Sequence, residues 1–400
     1  MKYDFETIID RQGLDAIAFD AVGNGGPGAP KPGFDVIPMW IADMNFATVP
    51  TIPEAIIKRA KHPVYGYFEE SEEYYNAIIN WQKDRFGSEV TKENIGYENG
   101  VLGGVVAALN VFCSKGDKVL LHSPTYIGFT GALTKNGYQI IHSPLVKDEN
   151  NIWRMDFADM EEKISKHHIH ACVFCSPHNP CGRVFERWEL EKAMEIFQRH
   201  DVKIVSDEIW SDLVLEGKHL PLQSINEYAR KNTVALYAPS KTFNLAGLVG
   251  SYHIAYDQWL IDRMKKESNL PSYNEMNVLS MHALIGAYSK EGREWLEELL
   301  EVLRGNVDYA ISYIKEHFAG VKVARPQGTY MIFVDFEDWC KAHNKTMDEL
   351  LRAFYDVGCA VNDGRKFHGA YAIRMNLASP LSRIKEAFRR LDLYVINKQD

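Results

Sequence analysis

The sequence predicts an α/β protein. A large, mostly parallel seven-stranded sheet with helices on both faces is joined to a smaller α+β domain. Three observations carry this expectation. From residue 48 to about 290, short β-rich runs alternate with amphipathic stretches, the pattern of a parallel sheet covered by helices. From about residue 291 the rhythm changes to one long helical pattern, then few strands and two more helices. Three strands of the first region deliver Asn179, Asp207 and Lys241 at or just past their carboxyl ends, the edge at which open α/β sheets bind ligands.

Residues 1–47 read as an arm containing a Gly/Pro-rich loop, Gly23 to Gly28. That loop does not match a phosphate-binding loop, because no strand precedes it and prolines follow where a helix should start. The seven strands expected within 48–290 are Ile95–Glu98, Lys118–His122, Tyr138–His142, Ala171–Ser176, Val202–Ser206, Thr233–Tyr237 and Gly250–Ala255. Amphipathic segments such as Trp188–Arg199 fall between them. The apolar stretch from Gly100 to Cys113 is too short and Gly-rich to span a bilayer, and reads as a buried helix. In the last domain, 291–400, Arg293–His317 is the long helix. Lys322–Ala324, Thr329–Phe336 and Tyr371–Asn376 are strands, with helices at Thr346–Asp356 and Leu381–Leu393.

Composition narrows the function. The chain has 400 residues, 46% apolar and 25% charged, enough for a substantial core. A formal net charge of −9 argues against a nucleic-acid partner, which favours a basic face. The opening residues MKYDFETIID lack the apolar core of a signal peptide, so a cytoplasmic location is expected. Six cysteines are too few for a disulfide scaffold. Cys172 and Cys175 have CxxC spacing but lie in an apolar strand with no second ligand pair, so packing is the simpler reading. Lys166-His-His-Ile-His170 falls at an expected helix end, where histidines face water. No metal site is expected.

Lys241 is the most informative residue. It follows the apolar strand Thr233–Tyr237 within Ala-Pro-Ser-Lys-Thr-Phe-Asn, an odd place for a cation that is costly to bury. The same cost lowers an amine's pKa, which suits nucleophilic attack on an aldehyde. Asp207 closes the strand about thirty residues upstream; alone it reads equally well as a helix cap. Asn99-Gly100-Val101-Leu102 opens the apolar helix, whose N–H groups and dipole make an anion site. Arg374 sits in an apolar-leaning strand and offers a guanidinium fork for a carboxylate, against the plain reading of a surface ion pair.

Together, SPHNPCGRVF, SDEIW and APSKTFNLAG, with motifs from MWIADMNF to RMNLASP, resemble the fold-type I pyridoxal-phosphate enzymes. The pattern is similar to the carbon–sulfur lyase branch of the aminotransferase class I/II family, which includes cystathionine β-lyases, and it covers nearly the whole chain. The resemblance implies the aspartate aminotransferase-like fold, the cofactor pyridoxal 5'-phosphate and a homodimer with shared active sites. It also implies that the arm packs with the small domain. It assigns Lys241 to the cofactor aldehyde and to proton transfer, Asp207 to the ring nitrogen, Asn179 to the ring oxygen near the substrate carboxylate, and Tyr126 to stacking on the ring. Gly100, Val101, Leu102 and Ser240 would hold the phosphate, with Tyr67 of a neighbouring subunit (Tyr65 the fallback). Arg374 and the backbone around Ala42 would grip the amino-acid substrate. Cystathionine or related S-substituted cysteines would give pyruvate, ammonia and a thiol. The alternatives are an L-amino-acid aminotransferase with the same residues and, more remotely, a non-catalytic regulatory module. Three positions depart from the branch's pattern: Trp210 where His or Tyr is usual, Asn45 for Asp, and Ala238 for Ser.

Overall fold

The computed structural model describes residues 1–270 and 274–398. The chain forms two compact units. The larger comprises 48–179 and 183–296; the smaller comprises 1–47, 180–182 and 297–400.

The larger unit is built on an eight-stranded sheet, in the order Ile95–Glu98, Ser251–Ile254, Thr233–Tyr237, Lys203–Asp207, Ala171–Cys175, Lys118–Ser123, Gln139–Lys147, Trp153–Met155. Five central strands are parallel; Ser251–Ile254 and Trp153–Met155 run antiparallel to their neighbours. All seven expected strands are present, with ends within a few residues except that Gln139–Lys147 runs further. The eighth, Trp153–Met155, is a correction to the count. Its three residues are too short to show an alternating pattern and pair only because Gln139–Lys147 extends to receive them at the sheet edge.

Burial explains the near-continuous apolar strands. The helix Val101–Phe112 lays Val101, Val105, Ala108 and Leu109 on a cluster with Val119, Leu121, Val173, Cys175, Val205, Val234 and Leu236. The alternate residues Cys172, Phe174 and Ile204 face the other way and are buried too, so both faces are covered. Gly104 permits the close approach of that helix: a Cβ there would lie 2.5 Å from Leu236. The Lys118–Ser123 strand has Gln139–Lys147 on one side and Ala171–Cys175 on the other. The chain therefore reverses its direction of travel across the sheet here, and ligands bind at such switch points.

The smaller unit has a four-stranded sheet in the order Lys322–Val323, Met331–Asp335, Ala372–Asn376, Asn362–Asp363. The parallel pair Ile37–Pro38 and Cys359–Ala360 ties the arm to it, and helices Met347–Asp356 and Leu381–Leu391 complete the α+β pattern. Lys290–His317 forms the expected long helix. Among the described residues, no helix is long and apolar enough to cross a membrane.

Candidate active site

Strand register sets the first group. Asp207 pairs with Leu236 on one side and Cys175 on the other, at the carboxyl edge of the sheet. The chain then turns instead of entering a helix: Ser211 N–H donates to the Glu208 carbonyl at 3.0 Å and Leu213 N–H to the Trp210 carbonyl at 2.9 Å. Asp207 thus has no helix to cap. Its Oδ1 accepts from the nearby Ile209 N–H at 3.1 Å. The side chain is 4% exposed. Burial pushes its pKa up to about 7, against the opposing pull of the Ile209 hydrogen bond and the Lys241 charge. A carboxylate so desolvated is suited to a cationic ring N–H.

Lys241 lies in a compact turn closed by Phe243 N–H to the Pro239 carbonyl (2.9 Å) and Leu245 N–H to the Ser240 carbonyl (3.0 Å). Its Nζ sits 5.8 Å from the centroid of the Trp210 ring, and Trp210 is buried. The unusual tryptophan therefore stands beside the lysine, within reach of a cation–π attraction. Ala238, another departure, is a buried member of the apolar cluster. Two residues that sequence reasoning passed over, Asp212 and Thr242, join the two turns: Thr242 Oγ1 donates to Asp212 Oδ2 at 3.0 Å. Their only sequence signal is proximity to Asp207 and Lys241.

The helix start also takes shape. Gly100 adopts φ +79°, a conformation that favours glycine. Its N–H already donates to the Glu98 carbonyl at 2.9 Å, so Val101 and Leu102 are the better phosphate donors, lying in the first turn where N–H groups lack intrahelical acceptors. Half-buried Tyr126 caps the next helix, Ile127–Lys135. Its ring meets Phe129 edge-on at 5.4 Å. Gly128 makes room for that ring, since a Cβ there would lie 2.3 Å from it and 3.0 Å from Leu102. Asn179, 3% exposed, belongs to a turn pinned by His178 N–H to the Arg183 carbonyl (2.8 Å). Arg183 is in turn held by the Trp153 carbonyl (2.9 Å) and by Glu189. The unexpected eighth strand thus supports the asparagine loop.

Tyr65 and Tyr67 differ clearly. Tyr65 spends its hydroxyl on the Ala60 carbonyl at 2.9 Å and stacks under Arg59, whereas Tyr67 is wholly exposed.

In the smaller unit, Arg374 is 3% exposed, which sets aside the surface ion pair. Its Nη2 donates to the Trp40 carbonyl at 2.8 Å and its guanidinium lies 4.5 Å from the Phe367 ring centroid. Asn362 donates to the same Trp40 carbonyl at 2.9 Å, and Asn376 donates to the carbonyls of Ile41 (2.8 Å) and Asp43. The backbone on both sides of Ala42 is therefore fixed. Asn45 accepts from Arg11 Nη1 at 3.0 Å, while Arg11 Nη2 meets Asp43 at 2.7 Å. The strand residue Cys175 keeps its thiol on the Pro177 carbonyl at 3.4 Å. No group of three His, Cys, Asp or Glu is placed to hold a metal among the described residues.

An amine, a buried carboxylate, an aromatic ring and a glycine-led helix start make a donor set that fits pyridoxal 5'-phosphate. Comparison with known proteins agrees with this chemistry. The family described as aminotransferase class I and II matches residues 35–391. Cystathionine beta-lyase PatB of Bacillus subtilis (strain 168) is 32% identical over 363 residues, covering 89% of this chain and 92% of that protein. Among solved structures, cystalysin from Treponema denticola, which contains pyridoxal 5'-phosphate, is 30% identical with a TM-score of 0.90, covering 98% of each chain. The PLP-bound C-S lyase from Staphylococcus hominis is 28% identical with a TM-score of 0.88, again covering 98% of each.

Proposed function

The chain belongs to the aminotransferase class I and II family, and from that premise we propose that it is a pyridoxal-phosphate-dependent carbon–sulfur β-lyase. Its substrates are cystathionine or related S-substituted cysteines. The observation that carries the reading is the buried Asp207 carboxylate, at the end of the strand beside the one that leads into the lysine turn and within the field of the Lys241 charge, supported by the lyase names of the relatives it matches along most of their length.

When bound, the cofactor supplies an electron sink that makes the substrate Cα–H acidic. Asp207 holds the ring nitrogen's proton, and Val101, Leu102 and Ser240 take the phosphate. Tyr126 and Asn179 orient the ring. Arg374 and the fixed backbone at Ala42 hold the substrate's α-carboxylate. The ε-amine of Lys241 removes the Cα proton; the Cβ–S electron pair leaves with sulfur, which is protonated to the thiol. Water then hydrolyses the remaining three-carbon enamine to pyruvate and ammonia. The exposed run Val64, Tyr65, Tyr67 and Phe68 is an apolar patch suited to a second copy, to which Tyr67 would bring its hydroxyl. Its cysteines, none joined in a disulfide among the described residues, suit the cytoplasm.

The test is incubation with cystathionine and S-alkyl cysteines, scoring pyruvate and thiol together. Stable pyridoxamine phosphate after amino acid alone would establish the aminotransferase alternative instead. Lys241→Ala is expected to abolish both products, and borohydride should attach a pyridoxyl group to Lys241 in the wild type; an unmodified lysine sinks the reading.

A further inference from the structure

Asp212 is a buried carboxylate, 4% exposed, in the segment that follows the strand Lys203–Asp207. Three donors converge on it. Trp81 Nε1 lies 3.2 and 3.3 Å from its two oxygens, Arg85 Nε lies 3.3 Å from Oδ1, and Thr242 Oγ1 lies 3.0 Å from Oδ2. Trp81 and Arg85 stand four apart on the helix Glu72–Phe86, so they share one face. That face is rigid: Trp81 is 1% exposed and stacks on Tyr288 at 4.5 Å. Thr242, the fully buried neighbour of Lys241, is the only one of the three in the lysine turn. The next residue is anchored as well, for the Phe243 carbonyl accepts from Thr48 Oγ1 at 2.8 Å.

The donor set demands a carboxylate. Indole and guanidinium can only donate, so the group between them must accept from every side, which an ionised carboxylate does and an amide does not. Asp212 also shares the short turn that begins at Asp207, whose successive bonds, Ser211 to Glu208 and Leu213 to Trp210, leave little slack. One stiff segment therefore carries the carboxylate expected at the ring nitrogen, the indole beside Lys241 and the acceptor for Thr242.

We propose that Asp212 is a positioning residue: anchored on Trp81 and Arg85, it grips Thr242 and so fixes the turn from which the Lys241 amine reaches the reacting carbon. This rests on Lys241 acting as the base in the reading above. Misplacing a reacting group by about 1 Å can cost on the order of a hundredfold in rate, so loosening one hydrogen bond in the turn should be visible in catalysis before it is visible in folding.

The experiment compares Thr242→Val, which keeps the volume and removes the hydroxyl, with Thr242→Ser, which keeps the hydroxyl. In holoenzyme, Thr242→Val is expected to load cofactor fully but lose about tenfold in kcat, with KM for an S-alkyl cysteine within about twofold and a displaced pH midpoint of the visible absorption band. Thr242→Ser should restore both. In cofactor-free protein, the pH dependence of reductive methylation at Lys241 should shift in the valine variant and not in the serine variant. If Thr242→Val matches wild type in kcat and in its methylation profile, the proposal is overturned. If the wild type attaches no pyridoxyl group to Lys241, the lyase reading fails, and the methylation profiles alone then decide whether Asp212 positions the lysine.

Discussion

Lys241 lies in a turn past a strand end of the larger unit, whereas Arg374 lies mid-strand in the smaller one, paired with Phe333 on one side and Asn362 on the other. The lysine turn owes its placement to side chains far away in sequence, Thr48 directly and Trp81 and Arg85 through Asp212. The strand residue owes its placement to a ladder, and its side chain only needs the Trp40 carbonyl and the Phe367 ring to complete its orientation. A ladder fixes direction through backbone alone, because successive side chains alternate faces. A turn has no such repeat, so its geometry depends on each individual bond.

Three measurements sharpen the contrast. The largest effect is expected at the strand position. Arg374→Lys keeps the charge but loses the planar fork, and truncating a buried charged partner costs about 2–5 kcal/mol. A fall of roughly 30-fold or more in kcat/KM, mostly through KM, should appear in steady-state kinetics with S-alkyl cysteines. A lysine variant with unaltered KM would mean that the strand places this residue for packing and not for substrate.

The second concerns pH. Because the folded-state pKa of Asp207 is raised from 3.8 to about 7, the folded cofactor-free protein keeps a proton there that the unfolded chain releases. The stabilisation is fully present below 3.8 and is lost as pH rises toward 7. Urea unfolding of cofactor-free protein should therefore show stability declining by a few kcal/mol across that window from this group, and Asp207→Asn should flatten the slope. An equal slope in the asparagine variant would show that Asp207 titrates normally.

The smallest effect is expected at Gly128. Glycine to alanine within a helix ordinarily gains about 1 kcal/mol. Here the new Cβ would meet the Tyr126 ring at 2.3 Å, so Gly128→Ala should instead destabilise by about 1–3 kcal/mol and weaken cofactor retention, read by thermal unfolding and by dialysis. A stabilised variant would show that the Tyr126 ring moves aside freely.

The same contrast explains what the sequence disclosed. The central parallel strands were legible because strands buried on both faces are near-continuous apolar runs, as in Ala171–Cys175. Trp153–Met155 was not, since three residues carry no period. Lys241, Asp207, Asn179 and Arg374 could be singled out because each interrupts an apolar run or belongs to a recognisable motif. Asp212 and Thr242 could not, because an aspartate and a threonine near turns are ordinary there, and only folding reveals that they meet at 3.0 Å. Gly100 showed the reverse: it opens the anion site as expected, but local turn geometry takes its own N–H.

The stretch from Asp207 to Asp212 acts as a ruler. Loops at the rim of an α/β sheet usually tolerate added or missing residues, but here both ends of the count are committed, one to the strand register and the other to Trp81, Arg85 and Thr242. A single residue gained or lost between them would rotate one carboxylate away from its partners. Length variation in this protein should accordingly gather elsewhere, and insertional scanning would find this rim segment as unforgiving as the core.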